Sequence, residues 1–395
     1  MTTTIEAVDL FYLSMPEVLD IGDGSQDMCL VRVRAGGHTG WGECEAAPLP
    51  TIAALICPLS HSACHPVIDS VVGARLDEPS DIAAIGVSVR ANSLDLLQAD
   101  HTWSGIEIAL WDLLGRRFEE PVHRLLGARN NHPKRPYASV LFGDTPEETF
   151  AKARDLAGQG WTAAKFGWGP FGRGSVQADA DLVVAAREGL GTDADLLIDA
   201  GTVFGADVEA AAARLPALEA AAVTWLEEPF VTGALDSYGR LATRATTVRL
   251  AGGEGAHQPP QARLLIDHGA VGFIQVDTGR IGGIQDAREV ALHAASRGVR
   301  YVNHTFTSHL ALSASIQPYV DLGDHDLCEY PAEPKALATD CTRTHLVPGS
   351  DGLVRAPEAP GLGLEVDVEA LRPYLVDVDI TVGGRVLYRT PALEA

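Results

Sequence analysis

Positive charge is scarce in this chain of 395 residues: 30 lysines and arginines stand against 53 aspartates and glutamates, a formal net charge of −23. That balance repels phosphate backbones and anionic lipid surfaces, which argues against nucleic acid or a membrane as partner. A small anionic substrate would need a local cation, lysine or metal. Paired cysteines are lacking too. Cys29, Cys44, Cys57, Cys64, Cys328 and Cys341 are scattered with no C-x-x-C, the pattern of core thiols in a reducing cytoplasm. No run approaches the ~18 apolar residues of a membrane-spanning helix. The opening "MTTTIEAVDLFYLS" has no basic segment followed by an apolar one. A soluble, cytoplasmic protein is the expectation. What the chain has in quantity is core material, 46% hydrophobic against 21% charged residues. Its length suits two domains, or one barrel of roughly 250 residues with additions.

Residues 1–132 are mixed. "MCLVRVRAGGHTGWGECE" alternates like strands about a Gly-Gly turn, and "SGIEIALWDLLGRRF" has helical spacing, which predicts a small α+β domain. From 133 to 345 short apolar strands alternate with Ala-rich amphipathic helices. The strand candidates are "YASVLF", "TAAKF", "DLLIDA", "VTWLEE", "VRLAGG", "VGFIQVD", "VRYVNH" and "DLCEY". Eight such units predict an α/β fold, a parallel (β/α)7β barrel of the TIM type, with functional groups gathered at the strands' C-terminal ends. Residues 346–395 contain no further helix-strand unit and are expected to return to the first domain.

Ionisable residues stand where the apolar strands stop: Lys165, Asp199, Glu227, Glu254, Asp277, His304 and Glu329. Asp199, Glu227 and Glu254 are separated by close to one strand-helix unit each, so a barrel aims all three at one face. Three hard oxygen ligands with room for water and substrate suit Mg²⁺, one ion per chain. Taken singly, each could equally cap a helix or pair with a surface lysine. At matched positions together they would repel one another without a cation.

"LLIDAG", "WLEEPF", "LAGGEG", "IQVDTGRIGG" and "YVNHTF" together resemble the enolase superfamily, in particular its mandelate racemase subgroup. The resemblance extends to "SGIEIALWDLLGRRFEEPVHRLLG", like the end of that family's capping domain, and to "PGLGLEVD", like its C-terminal return. It implies that Asp199, Glu227 and Glu254 bind Mg²⁺, which holds an enediolate formed by removing the proton α to a carboxylate. It also implies a catalytic dyad of Asp277 and His304, the aspartate orienting the imidazole and raising its basicity. Glu329 matches a position that contacts the substrate carboxylate in some members; a structural hydrogen-bonding role is the alternative. The partner is then a small-molecule carboxylate substrate, and a homo-oligomer is expected.

One stretch admits a rival reading. "AAKFGWGPFG" sets Gly167, Gly169 and Gly172 in the G-x-G-x-x-G spacing of dinucleotide-binding loops. Pro170 and Phe171 interrupt the turn and the barrel rhythm continues, so no cofactor-binding loop is expected there. The family's second strand usually ends in Lys-x-Lys. Here Lys165 matches the first lysine and Gly167 replaces the second. Lys165 is expected near the substrate carboxylate as a fixed positive charge, with a salt bridge at the barrel rim as the alternative. The third strand, which often carries Asp-x-Asn or Asp-x-His, has Gly201 in the last place. A single marked base, His304, remains. One base can run a syn β-elimination, whereas a racemase needs two. The expectation is a Mg²⁺-dependent dehydratase of a sugar acid, abstracting the α-proton and expelling the β-hydroxyl to give a 2-keto-3-deoxy acid. The alternative is a racemase or epimerase with a second base from the capping domain.

Overall fold

The computed structural model describes residues 2–45 and 47–394. Strands β1 (Ile5–Ser14), β2 (Asp27–Ala35) and β3 (His38–Cys44) form an antiparallel sheet in the order β1-β2-β3. The turn between the last two falls at Gly36 and Gly37, both with positive φ. Helix α1 (Ala99–Phe118) lies against β3. The glycines of "GWGEC" allow that approach, because a Cβ at Gly40 would stand 2.1 Å from the Ala109 carbonyl oxygen and one at Gly42 2.3 Å from that of Gly105. Buried from Ala99 to Gly115, α1 is a central element of this unit.

Eight parallel strands follow: β4 (Arg135–Leu141), β5 (Ala163–Gly167), β6 (Asp195–Asp199), β7 (Val223–Glu227), β8 (Arg249–Gly252), β9 (Phe273–Asp277), β10 (Arg300–His304) and β11 (Leu327–Pro331). They correspond one for one to the eight apolar runs, and they pair in the order β10-β9-β8-β7-β6-β5-β4-β11. The seam between β10 and β11 is closed by a side chain. Asn303 accepts from the Glu329 backbone N–H at 2.9 Å and donates to the Glu329 carbonyl at 3.2 Å. Tyr137, Leu197, Trp225, Phe273, Val302 and Leu327 fill the barrel, and a second apolar layer packs its outside against the helices. The interior is thus a packed core, which leaves the rim for chemistry.

A contact through α1 sets the first unit over that rim. Glu107 of α1 accepts from the backbone N–H groups of Ile284 and Gln285 at 2.7 and 3.0 Å, at the start of the helix Ile284–Ser296. A carboxylate there satisfies donors that the helix itself leaves unpaired. The hairpin of β12 (Asp379–Val382) and β13 (Arg385–Arg389) returns to β1, where Tyr388 donates to the Leu10 carbonyl at 2.5 Å.

Candidate active site

The strand register brings the rim residues together. Gly167, Asp199 and Glu227 are successive Cα partners across β5, β6 and β7, and Asp277 partners His304 across β9 and β10. Glu254 stands just past β8. Oxygen atoms of Asp199, Glu227 and Glu254 lie within 4.8 Å of one another. Ligands on opposite sides of a cation with 2.0–2.6 Å bonds would be about 4–5 Å apart, so the three carboxylates fit a hard divalent metal by both donor type and spacing.

Charge in this cluster is unevenly held. Burial pushes Glu227 up to about 8 and Asp199 up to about 7, with Lys165 opposing both shifts. Burial acts on Glu254 in the same sense, but His304 and Arg280 outweigh it and hold that carboxyl well below the usual carboxylate range. The Lys165 ammonium sits 2.8 Å from Glu227 Oε1 and 2.7 Å from Glu329 Oε1, with Asp199 Oδ2 at 3.9 Å. Burial alone would lower its pKa, yet these carboxylates raise it well above the lysine range. Glu329 is fully buried beneath the cavity. It accepts from Ser139 Oγ and from the Thr305 N–H, each at 2.8 Å, in addition to Lys165.

Opposite Lys165, His304 Nδ1 lies 2.6 Å from Asp277 Oδ2, and Nε2 lies 2.9 Å from Glu254 Oε2. The Gly279 N–H donates to Asp277 Oδ1 at 2.7 Å, which fixes the carboxylate behind the imidazole. Burial would depress His304, but Glu254, Glu329 and Asp277 keep it well above its ordinary value.

A cavity of about 250 Å³ opens above these groups, with Lys165, Asp199, Glu254 and His304 in its wall. Glu227, Asp277 and Glu329 support them from beneath or behind. Three further residues were not singled out from sequence. Glu45, just past β3, receives a two-point contact from Arg280, with Nε to Oε2 at 2.6 Å and Nη2 to Oε1 at 2.7 Å, and its Oε2 is 3.9 Å from His304 Nδ1. Arg280 stands inside the quoted "IQVDTGRIGG", which was the available signal; Glu45 carried none. Trp168, next to the Gly167 that replaces the second-strand lysine, borders the cavity. A side chain at 167 would force Asp199 to shift, since a Cβ there would lie 2.9 Å from Asp199 Cβ.

Comparison with known proteins identifies the family. Residues 148–371 match the model for the enolase C-terminal domain-like family, and residues 14–127 match that for the mandelate racemase / muconate lactonizing enzyme N-terminal domain. The chain is 30% identical to a D-galactarolactone cycloisomerase of Agrobacterium fabrum, over 69% of this chain and 73% of that one. It is 29% identical to a D-xylonate dehydratase of Haloferax volcanii, over 69% of each. A crystal structure described as a predicted mandelate racemase from Rhodobacter sphaeroides superposes with a TM-score of 0.94 at 62% identity, covering 99% of this chain and 100% of that one.

Proposed function

The chain belongs to the mandelate racemase / muconate lactonizing enzyme family of the enolase superfamily, and on that premise we propose that it is a Mg²⁺-dependent dehydratase of a sugar acid, an aldonate or an aldarate. Relatives named as dehydratases and as sugar-acid cycloisomerases support the substrate class. The observation that carries the reaction type is that His304, oriented by Asp277, is the one imidazole in the cavity wall. Of the other basic groups in the cavity wall, Lys165 is tied to Glu227 and Glu329, Glu45 to Arg280, and Asp23 to Ser25.

Asp199, Glu227 and Glu254 would hold the metal, which when bound offsets the second negative charge that develops on the substrate carboxylate as its α-proton leaves. His304 Nε2, which contacts Glu254 Oε2 at 2.9 Å, would take that proton once Glu254 is engaged as a metal ligand. Asp277 fixes the proton on Nδ1, so that Nε2 is the accepting nitrogen, and then stabilises the imidazolium. The same Nε2–H is returned to the β-hydroxyl as the C–O bond breaks, releasing water and an enol that tautomerises to the 2-keto-3-deoxy acid. Lys165 holds the charge of Glu227 and Glu329 in place at the cavity floor and offers positive potential to the substrate carboxylate. Glu329 serves through hydrogen bonds to Lys165, Ser139 and Thr305.

The name of the 62% identical structure favours a second reading, a racemase. It requires a base on the opposite face, where Lys165 would have to leave two carboxylates. A screen of aldonates and aldarates with Mg²⁺, read by 2-keto product, tests the proposal; product from none of them would overturn it.

A further inference from the structure

We propose that Trp168 is a specificity-determining residue, an indole clamped between two glycines that sets the size of the acid the cavity admits. The inference rests on the sugar-acid reading of the site. Trp168 follows β5 with φ at 57°, in the left-handed region that a bulky residue adopts only when its surroundings impose it. Those surroundings are identifiable. A Cβ on Gly22 would lie 2.7 Å from the indole Cγ and Cδ2, and a Cβ on Gly201 would lie 3.0 Å from Cε2 and 3.1 Å from Cδ2. Gly22 belongs to the segment between β1 and β2, and Gly201 to the loop after β6. The ring therefore bridges the capping unit and the barrel, and both neighbours must lack a side chain for it to fit.

The consequence falls on the substrate. A cavity of about 250 Å³ is smaller than the roughly 300–1,000 Å³ of ordinary ligand pockets. Trp168 is the largest side chain in its wall; its indole does not titrate and carries a single donor, Nε1–H, so its bulk is what limits the substrate. Gly201 and Gly167, which depart from the family pattern, are explained together: the first leaves room for the ring, the second for Asp199.

The test compares wild type, Trp168→Ala, Gly22→Ala and the double variant on two pairs of acids that differ by one distal CHOH, D-gluconate with D-xylonate and D-galactonate with L-arabinonate. The readout is kcat/KM for α-hydrogen exchange in D₂O with Mg²⁺, which does not presuppose loss of water. Trp168→Ala should raise the six-carbon over five-carbon ratio by about tenfold or more. An unchanged ratio with uniformly slower exchange would overturn the proposal. Gly22→Ala should slow exchange when the indole is present and not when it is absent; additive effects would refute the clamp. If wild type exchanges none of the four acids, the aldonate form of the sugar-acid reading fails, and melting temperatures still decide the clamp. Gly22→Ala must then destabilise the Trp168 protein more than Trp168→Ala, and equal losses would refute it.

Discussion

Lys165→Met removes the ammonium that bridges Glu227 and Glu329 and leaves two carboxylates with side chains 1% and 0% exposed. Losing one partner of a buried ion pair costs about 3–5 kcal/mol. An unfolding entropy of about 2.1 cal/mol/K per residue gives ~0.8 kcal/mol/K for 395 residues, so the melting temperature should fall by about 4–6 °C. Calorimetry at pH 7.5 in chelator measures this. Adding Mg²⁺ should narrow the gap, because carboxylates deprived of their internal cation bind an external one more strongly. A variant that melts with wild type in chelator would refute the bridging role, and a deficit that Mg²⁺ leaves untouched would separate Lys165 from the metal cluster.

Three further outcomes are expected. His304→Asn should lower both α-hydrogen exchange and water loss by at least ~10²–10⁴-fold, with Asp277→Asn impaired through loss of tautomer control; exchange at the normal rate in His304→Asn would disqualify it as the base. In chelator, stability should fall as pH rises from about 4.5 to about 8. Glu227 has its folded pKa raised to about 8, so in that window the folded state binds more protons than the unfolded one. Melting temperatures that climb across the window would contradict this, and Mg²⁺ should flatten the decline. Gly167→Ala places a Cβ against Asp199 and should weaken Mg²⁺ binding measured by calorimetric titration; unchanged affinity would mean Asp199 is not a ligand or is free to move.

The barrel was legible because a strand buried on both faces reads as an apolar run, and the helices between supply the contrasting period. The rim residues were legible for a related reason: a polar residue that ends an apolar strand has one place to go in a barrel. Lys165 shows the limit. Its position was evident and a salt bridge at the barrel rim was one of the two expected placements, but the identity of its partners, Glu227 and Glu329, depends on strand order and on which oxygens face inward. Glu45 was hidden because it reaches the site from another unit, through contacts remote in sequence. Gly167 was noticed as a missing lysine; that Asp199 crowds the space beside it required the coordinates.

Proton NMR of the wild-type enzyme with Mg²⁺ in D₂O, using the sugar acid found in the screen, tests one-base dehydration most directly. Loss of the α-hydrogen signal should proceed together with growth of 2-keto-3-deoxy product, both abolished in His304→Asn. Inversion at the α-carbon without loss of water would contradict it and establish a racemase.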